Sequence, residues 1–480
     1  MPLCGRAHNT EAQSAGHPIG EADRVAPRHD GFRRQRASNA AGPSGAAAVG
    51  QRWRAAMSGR PWPRRSAPDG IRRASPGEIT VLTRSSPGDS ADDTVLGMPP
   101  GPAGQQPPWP DAATVRRVRR RLAALPALLD AEDVLALRTR LAEVAAGGAQ
   151  VLQAGDCAED PAECAPGDVV RKAGLLELLA GRMESITGKP VLRVGRLAGQ
   201  FAKPRSLAVE RVGDLELPAY RGHMVNEFEP DAERRRPDPR RLLCGYRLSG
   251  TVMRSLGRAG GGTHPHTGAR VWTSHEALLL DYEVPMVRRA GTGRAWLSST
   301  HWPWIGERTR QPDGAHVALL AGVVNPVACK VGPTTTTGEL LALCARLDPR
   351  REAGRLTLIA RMGAGEGGGR LAALVAAVRA EGHPVIWLCD PMHGNTFKTP
   401  DGFKTRLVPD IVREVRHFRH AVAAGGGVAG GLHLETTPDD VTECVRTQAD
   451  IPRVGDKYTS LCDPRLSPDQ ALTVVSAWRG

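Results

Sequence analysis

An α/β fold that closes into a (β/α)8 TIM barrel behind an N-terminal helical extension is what this 480-residue sequence predicts, on three observations. Short apolar runs alternate with amphipathic segments from about residue 150 to the C-terminus, the pattern of a parallel sheet with helical crossovers. Nearly every apolar run ends in charged or hydrogen-bonding residues, as strands do when one face of a barrel carries the site. No GxGxxG or P-loop follows the first run, which counts against a doubly wound nucleotide fold.

Taken in chain order, residues 1–98 are rich in Arg, Ala, Gly, Pro and Ser, with clusters such as RPWPRRSAPDG and RSSPGDSADD. Apolar periodicity is sparse there, so the segment reads as a disordered extension. Its nine acids argue against a targeting peptide, and Met57 and Met98 are alternative translation starts. Residues 99–150 hold two helical patterns, DAATVRRVRRRLAALPALL and AEDVLALRTRLAEVAAG, expected to pack on the barrel of residues 151–480. Seven strands are clear: AQVLQAG, PVLRVG, AWLSST, VNPVACKVG, RLTLIARMG, PVIWLC and GGLHLET. An eighth is expected near 269–273 or inside a loop. Amphipathic segments such as TGELLALCARL, GRLAALVAAVRAEG and PDIVREVRHFRHAVAAG separate several of them.

Composition narrows the function. No apolar run is long enough to span a membrane, and the N-terminus lacks the apolar core of a signal peptide. Nine cysteines, scattered and odd in number, suit a reducing cytoplasm better than a disulfide framework. The net charge of +13 invites a nucleic-acid reading. Against it, the first 99 residues hold five of those charges, fourteen arginines against nine acids, and no basic stripe is interleaved with aromatics elsewhere. A basic cleft for small anions explains the excess without nucleic acid. Arginines number 57 and lysines only seven, so a lysine at a strand end marks a place that needs a compact ammonium.

The strand ends supply the chemistry. Arg196, Lys203, Arg308, Lys330, Arg361, Lys404 and Arg406 form a cationic set that would repel itself unless phosphate or carboxylate neutralised it. Cys157, His393, Glu435 and Asp463 make a mixed thiolate, imidazole and carboxylate donor set suited to a divalent transition metal. They come from four separate segments, so spacing alone gives no metal signature. Taken singly, Cys157 also reads as a small buried residue, His393 as a loop hydrogen-bonder and Asp463 as a turn or helix cap. The residues by themselves point to metal-assisted carbon–carbon or phosphate chemistry on small anions.

A resemblance sharpens this. QAGDCAE, RLAGQFAKPRS, YRG, TSHEALLLDYE, WIGERTRQPDGAHV, NPVACKVGP, GRLTLIARMG, CDPMHGNT, GFKTR, HLETT...VTEC and CDPRLSPDQAL occur in this order. Over residues 100–480 the chain resembles the class II, plant-type 3-deoxy-D-arabino-heptulosonate 7-phosphate (DAHP) synthases. The resemblance implies a (β/α)8 barrel that condenses phosphoenolpyruvate with erythrose 4-phosphate and releases phosphate, the entry step of the shikimate pathway. It implies one divalent ion, manganese or cobalt for example, on Cys157, His393, Glu435 and Asp463. Phosphoenolpyruvate would be held by Arg196, Arg308, Lys330 and Arg361, helped by the Glu307 backbone, with Lys330, Arg361 and His393 nearest the chemistry. Erythrose 4-phosphate would be held by the turn Lys203, Pro204, Arg205 and Ser206, with Glu276, Asn395, Lys404 and Arg406 close by.

The chain also departs from the family pattern. His223 stands in YRGHMVN where aspartate is usual, which either perturbs a loop near the sugar phosphate or is a solvent-exposed swap. HLETTPDD lacks the usual glycine. Only RAGGGTHPHTGA joins RLLCGYRLSGTVMRSLG to VWTSHE, where members regulated by aromatic amino acids carry a longer regulatory insert. The resemblance therefore implies a short form without that feedback, a homodimer at most, with a chorismate mutase as a possible partner enzyme. Two other readings stay open: a synthase of the amino analogue on a route to 3-amino-5-hydroxybenzoate, and a non-catalytic paralogue that binds a metabolite or partner.

Overall fold

The computed structural model describes residues 97–261, 270–289, 293–365 and 368–479. Eight parallel strands close on themselves: β1 (Gln150–Gly155), β2 (Val191–Arg196), β3 (Val271–Glu276), β4 (Trp302–Ile305), β5 (Val327–Val331), β6 (Leu356–Ala360), β7 (Ile386–Cys389) and β8 (Val428–Glu435). Each pairs with its sequence neighbours, and β1 pairs with β8 to complete the ring, Gly155 lying opposite Glu435. Gly431 in β8 has φ +149, and a Cβ there would sit 1.9 Å from the Val151 carbonyl oxygen, so the closing seam requires glycine.

Outer helices follow the strands: α3 (Pro166–Thr187), α4 (Arg241–Gly261), α5 (Leu280–Met286), α6 (Ala315–Ala321), α7 (Thr337–Leu347), α8 (Gly368–Ala380), α9 (Val408–Ala424) and α10 (Pro468–Ser476). Their apolar faces and the outward strand residues share one shell of buried side chains. Two helices precede the barrel, α1 (Ala112–Ala123) and α2 (Ala131–Ala145). Asp111 caps α1 by accepting from the Ala113 amide, and Pro126 follows its end closely. Leu137, Leu141 and Val144 of α2 pack on Val151, Leu192, Trp272 and Ile386, the first turns of four strands. The bottom of the barrel is thus plugged by a helix, and polar groups collect at the other end.

The eighth strand lies where the sequence placed it, near 269–273. One of the seven others does not. AWLSST contributes only Ala295–Leu297, which pairs antiparallel with Val287–Arg289 outside the barrel. The fourth barrel strand is the next segment, Trp302–Ile305. Its Pro303 lacks an amide donor and the strand is four residues long, so it carried no strand signal in the sequence. Among the described residues no helix is long and apolar enough to cross a membrane. The extension expected over residues 1–98 and the short connection expected in place of a regulatory insert fall largely outside the described residues.

Candidate active site

Strand periodicity builds the site. Side chains two residues apart share a face, and the interior cluster contains Val194, Ala328, Ile359 and Leu388. Two residues further along the same strands stand Arg196, Lys330, Arg361 and Asp390. On β8, His433 is followed in the same way by Glu435, and on β3, Ser274 by Glu276. An apolar layer thus gives way, in one step, to a charged layer at the C-terminal face.

On that floor, ligand atoms of Cys157, Glu435 and Asp463 all lie within 4.8 Å of one another. His393 reaches the same place, its Nε2 3.2 Å from Glu435 Oε1. The His393 Nδ1–H donates to Asp390 Oδ2 at 2.8 Å, so in the neutral ring the Nε2 lone pair faces a carboxylate oxygen. Two acceptors face each other there, an arrangement that a cation between them satisfies, and the carboxylate behind the imidazole is the usual support of a metal-ligating histidine. Thiol, imidazole and two carboxylates form a soft and hard mixture suited to a divalent transition metal, so the residues fit such an ion.

Glu435 is fully buried. Burial alone would raise its pKa, yet His393 in its protonated form, Arg406 and Arg196 outweigh burial and hold it well below the usual carboxylate range. Arg406 Nη2 donates to Glu435 Oε2 at 2.8 Å and Arg196 Nη2 donates to Oε1 at 3.0 Å. Asp463 is held ionised in the same way: burial pushes it up, and Lys203 and Lys404 pull it well down. Their ammonium groups lie 3.0 Å and 2.7 Å from its two oxygens. Burial, with Asp463 and Glu435 adding to it, raises the Cys157 thiol well above its ordinary value. A metal ion that takes this sulfur as thiolate therefore releases a proton.

Above the floor opens a cleft of about 910 Å³ lined by Lys203, Arg205, Arg308, Lys330, Arg361 and Lys404 among others. Lys330 Nζ donates to Asp390 Oδ2 at 2.9 Å, and Arg361 Nη2 donates to the His393 carbonyl at 3.2 Å. Arg308 Nη2 donates to Ser206 Oγ at 2.7 Å, which joins two of the expected anion-binding segments. Burial lowers the Lys330 pKa, partly countered by Asp390. Glu276 and Glu307 also line the cleft, and each has a buried carboxylate oxygen without a hydrogen-bond partner among the described residues.

Of the residues singled out in the sequence, Cys157, Arg196, Glu435 and Arg406 lie in the floor, and Lys203, Pro204, Arg205, Ser206, Glu276, Glu307, Arg308, Lys330, Arg361, His393, Lys404 and Asp463 line the cleft. Arg406 is fully buried and donates to Glu435 from within the floor. Asn395 points elsewhere. Its amide donates to the Pro391 carbonyl and to Glu414 Oε2, and its oxygen accepts from the Ala364 amide. His223 is buried, against the alternative of an exposed swap, with its Nδ1 2.5 Å from the Tyr220 hydroxyl. Burial, reinforced by Arg241, pushes it down to about 3, so it is neutral.

The Glu414 contact has a measurable consequence. Burial raises this carboxyl to about 7, only partly offset by the bonds from Gly363 and Asn395. The folded chain therefore binds a proton that the unfolded chain has released between about pH 4.5 and 7. Stability from this group is full at the acid end of that window and falls as pH rises, by up to about 3 kcal/mol. Glu414→Gln is expected to remove this contribution. Urea midpoints for both proteins at pH 5 and pH 8 measure it: the wild type should lose more stability across the interval than the variant.

Sequence reasoning assigned no role to Asp390, Gln153 or His433. Asp390 orients His393 and anchors Lys330 at once. His433 Nδ1 lies 2.6 Å from Gln153 Oε1, which leaves Nε2 to accept from Arg196 Nη1 at 3.1 Å. Stepping two residues inward from Glu435 would have found His433, while Gln153 stands on β1 and Asp390 at the end of β7, and both meet the site only through the closed ring. Asp390→Asn removes the charge behind both groups, and a lowering of kcat by about 10- to 100-fold is expected in steady-state assays, with the fold retained.

Arg465 and Lys172 frame the loop that carries Cys157. Arg465 Nη1 and Lys172 Nζ donate to the two oxygens of buried Asp156 at 2.9 Å and 2.6 Å. Lys172 therefore has a structural partner, which a rarity argument on lysines alone does not reveal.

Comparison with known proteins agrees with this geometry. The model of the Class-II DAHP synthetase family matches residues 99–264 and 251–477. A probable phospho-2-dehydro-3-deoxyheptonate aldolase of Pseudomonas fluorescens is 57% identical over 376 residues, 78% of this chain and 94% of the relative. The phospho-2-dehydro-3-deoxyheptonate aldolase of Streptomyces coelicolor is 38% identical over 446 residues, 83% of this chain and 98% of the relative. Its counterpart from Mycolicibacterium smegmatis is 38% identical over 429 residues, 78% and 91% of the two chains. With the barrel, the donor floor and the cationic cleft in place, the chain belongs to the Class-II DAHP synthase family.

Proposed function

We infer that the cleft joins phosphoenolpyruvate to erythrose 4-phosphate, giving DAHP and inorganic phosphate. The observation that carries this reading is the meeting, in one cleft, of the Cys157, Glu435 and Asp463 cluster with at least six cationic side chains. A metal site alone fits many hydrolases. A cationic cleft alone fits any anion binder. Together they suit a reaction that brings two phosphorylated substrates face to face.

Cys157, His393, Glu435 and Asp463 hold one divalent ion, manganese or cobalt among the fitting ones. When bound, the ion supplies Lewis acidity toward a carbonyl oxygen at the cleft floor. Arg196, Arg308, Lys330 and Arg361, with the Glu307 backbone, bind the phosphate and carboxylate of phosphoenolpyruvate. The turn Lys203–Ser206 and Lys404 take the sugar phosphate, which places the two reacting carbons between them. C3 of phosphoenolpyruvate bonds to the aldehyde carbon, water adds at C2, and C–O cleavage expels phosphate. Lys330, depressed by burial and hydrogen-bonded to Asp390, is the group best placed to pass a proton at C2.

The test is a product assay on the purified full chain. Loss of phosphoenolpyruvate that requires erythrose 4-phosphate, matched one to one by phosphate release and a seven-carbon phosphorylated acid in the mass spectrum, supports the reading. Phosphoenolpyruvate consumption that ignores the aldehyde, or none at all, defeats it.

A further inference from the structure

Residues ahead of α1 run as a strap along the mouth of the barrel. Gln106 fastens this strap: its amide donates to the Leu278 carbonyl at 2.9 Å and its oxygen accepts from the Leu280 amide at 3.0 Å. Trp109 Nε1 adds a bond to Asp281 Oδ2 at 2.9 Å. Both anchors lie on the loop after β3 and on α5, rigid parts of the barrel.

The neighbour of that anchor reaches the sugar-phosphate turn. Gln105 Oε1 accepts from the backbone amide of Arg205 at 2.9 Å, and the Gln105 carbonyl accepts from Arg221 Nη1 at 3.4 Å. The Arg221 carbonyl in turn accepts from the Lys203 amide at 2.9 Å. Lys203–Arg205 forms neither helix nor strand, so no ladder holds these amides in place. Gln105 also has φ +62, in the left-handed region that a side-chain-bearing residue enters at a cost. The backbone bends there, and the bend delivers both the side chain and the carbonyl to the turn.

We propose that Gln105 is a positioning residue for erythrose 4-phosphate, holding the Lys203–Ser206 turn in its phosphate-binding shape by tying it to the anchored strap. This rests on the assignment of that turn to the sugar phosphate. Gln105 acts through the turn and, among the described residues, bonds to none of the metal donors or phosphoenolpyruvate cations itself; the turn reaches Arg308 through Ser206 and Asp463 through Lys203, so the effect falls first on erythrose 4-phosphate.

The experiment compares Gln105→Met, similar in size but without the acceptor, with Gln105→Gly, which relieves the left-handed backbone and also removes the acceptor. In the full-length protein, both are expected to raise KM for erythrose 4-phosphate about fivefold, the scale of one lost neutral hydrogen bond. KM for phosphoenolpyruvate should stay within about twofold. The Gly variant guards against a folding defect, because it removes strain rather than adding it. An unchanged KM for erythrose 4-phosphate in both variants overturns the proposal, and so does an equal or larger rise in KM for phosphoenolpyruvate. Arg205→Ala separates the two levels. If it raises that KM while the Gln105 variants do not, only the role of Gln105 fails. If it has no effect, the assignment of the turn fails, and the proposal with it.

Discussion

Cys157→Ala is expected to abolish turnover, by roughly 1,000-fold or more, while the barrel stays folded. The magnitude follows from losing Lewis-acid stabilisation worth several kcal/mol. Retention of the fold follows from the site: Cys157 is a small buried side chain in a loop already framed by Asp156, Lys172 and Arg465. The substitution leaves the carboxylates of Glu435 and Asp463 with their own cations, Arg196 and Arg406 for one and Lys203 and Lys404 for the other. Divalent-ion affinity by equilibrium dialysis should fall alongside activity, and the circular dichroism spectrum should not move. Because the thiol is held protonated by burial without a metal, the affinity of the wild type should also climb with pH, and that dependence should weaken in the variant. A Cys157→Ala protein that still turns over at more than a few per cent would remove the thiolate from the site.

Arg406→Leu is expected to cost about 3 kcal/mol of stability. Both partners of the Arg406–Glu435 pair are fully buried, at 0% exposure. Removing the guanidinium leaves a buried carboxylate with Arg196 as the remaining guanidinium that donates to it, and frees the Pro464 carbonyl that Arg406 also satisfies. The protein should unfold at clearly lower urea. Added divalent metal should recover part of the difference, since an ion bound only by the native state restores positive charge beside Glu435. Equal stability of variant and wild type in metal-free buffer would mean that Glu435 takes up a proton and gives up its charge, against the strong depression its surroundings impose.

The barrel was legible because its strands are buried on both faces and so read as short apolar runs between amphipathic helices. Where a strand broke that rule it was missed: Trp302–Ile305 is short and contains Pro303, while Ala295–Leu297 next to it looks like a strand and serves a small outer hairpin. The Cys157, Glu435 and Asp463 cluster and most of the cationic cleft were legible because each residue stands at the end of a strand or in a motif quoted from the sequence. Their supports were not. Asp390, Gln153 and His433 act through side-chain bonds to residues of other strands, and such pairings depend on the closed ring rather than on local spacing. Asn395 and Arg406 illustrate the converse. The resemblance placed both close to the sugar phosphate, whereas one faces Glu414 beside the cleft and the other supports Glu435 from within the floor. Direction of a side chain off an irregular loop is set by its neighbours in space, which motif order does not encode.

The most direct test of the account is a metal titration of chelator-stripped full-length protein, with bound ion per chain and phosphoenolpyruvate turnover measured on the same samples. The account predicts no turnover at the start, a rise in step with occupancy of manganese or cobalt, and a plateau at one ion per chain. Turnover by the stripped protein, or one ion bound per chain with no turnover in the presence of both substrates, would contradict it.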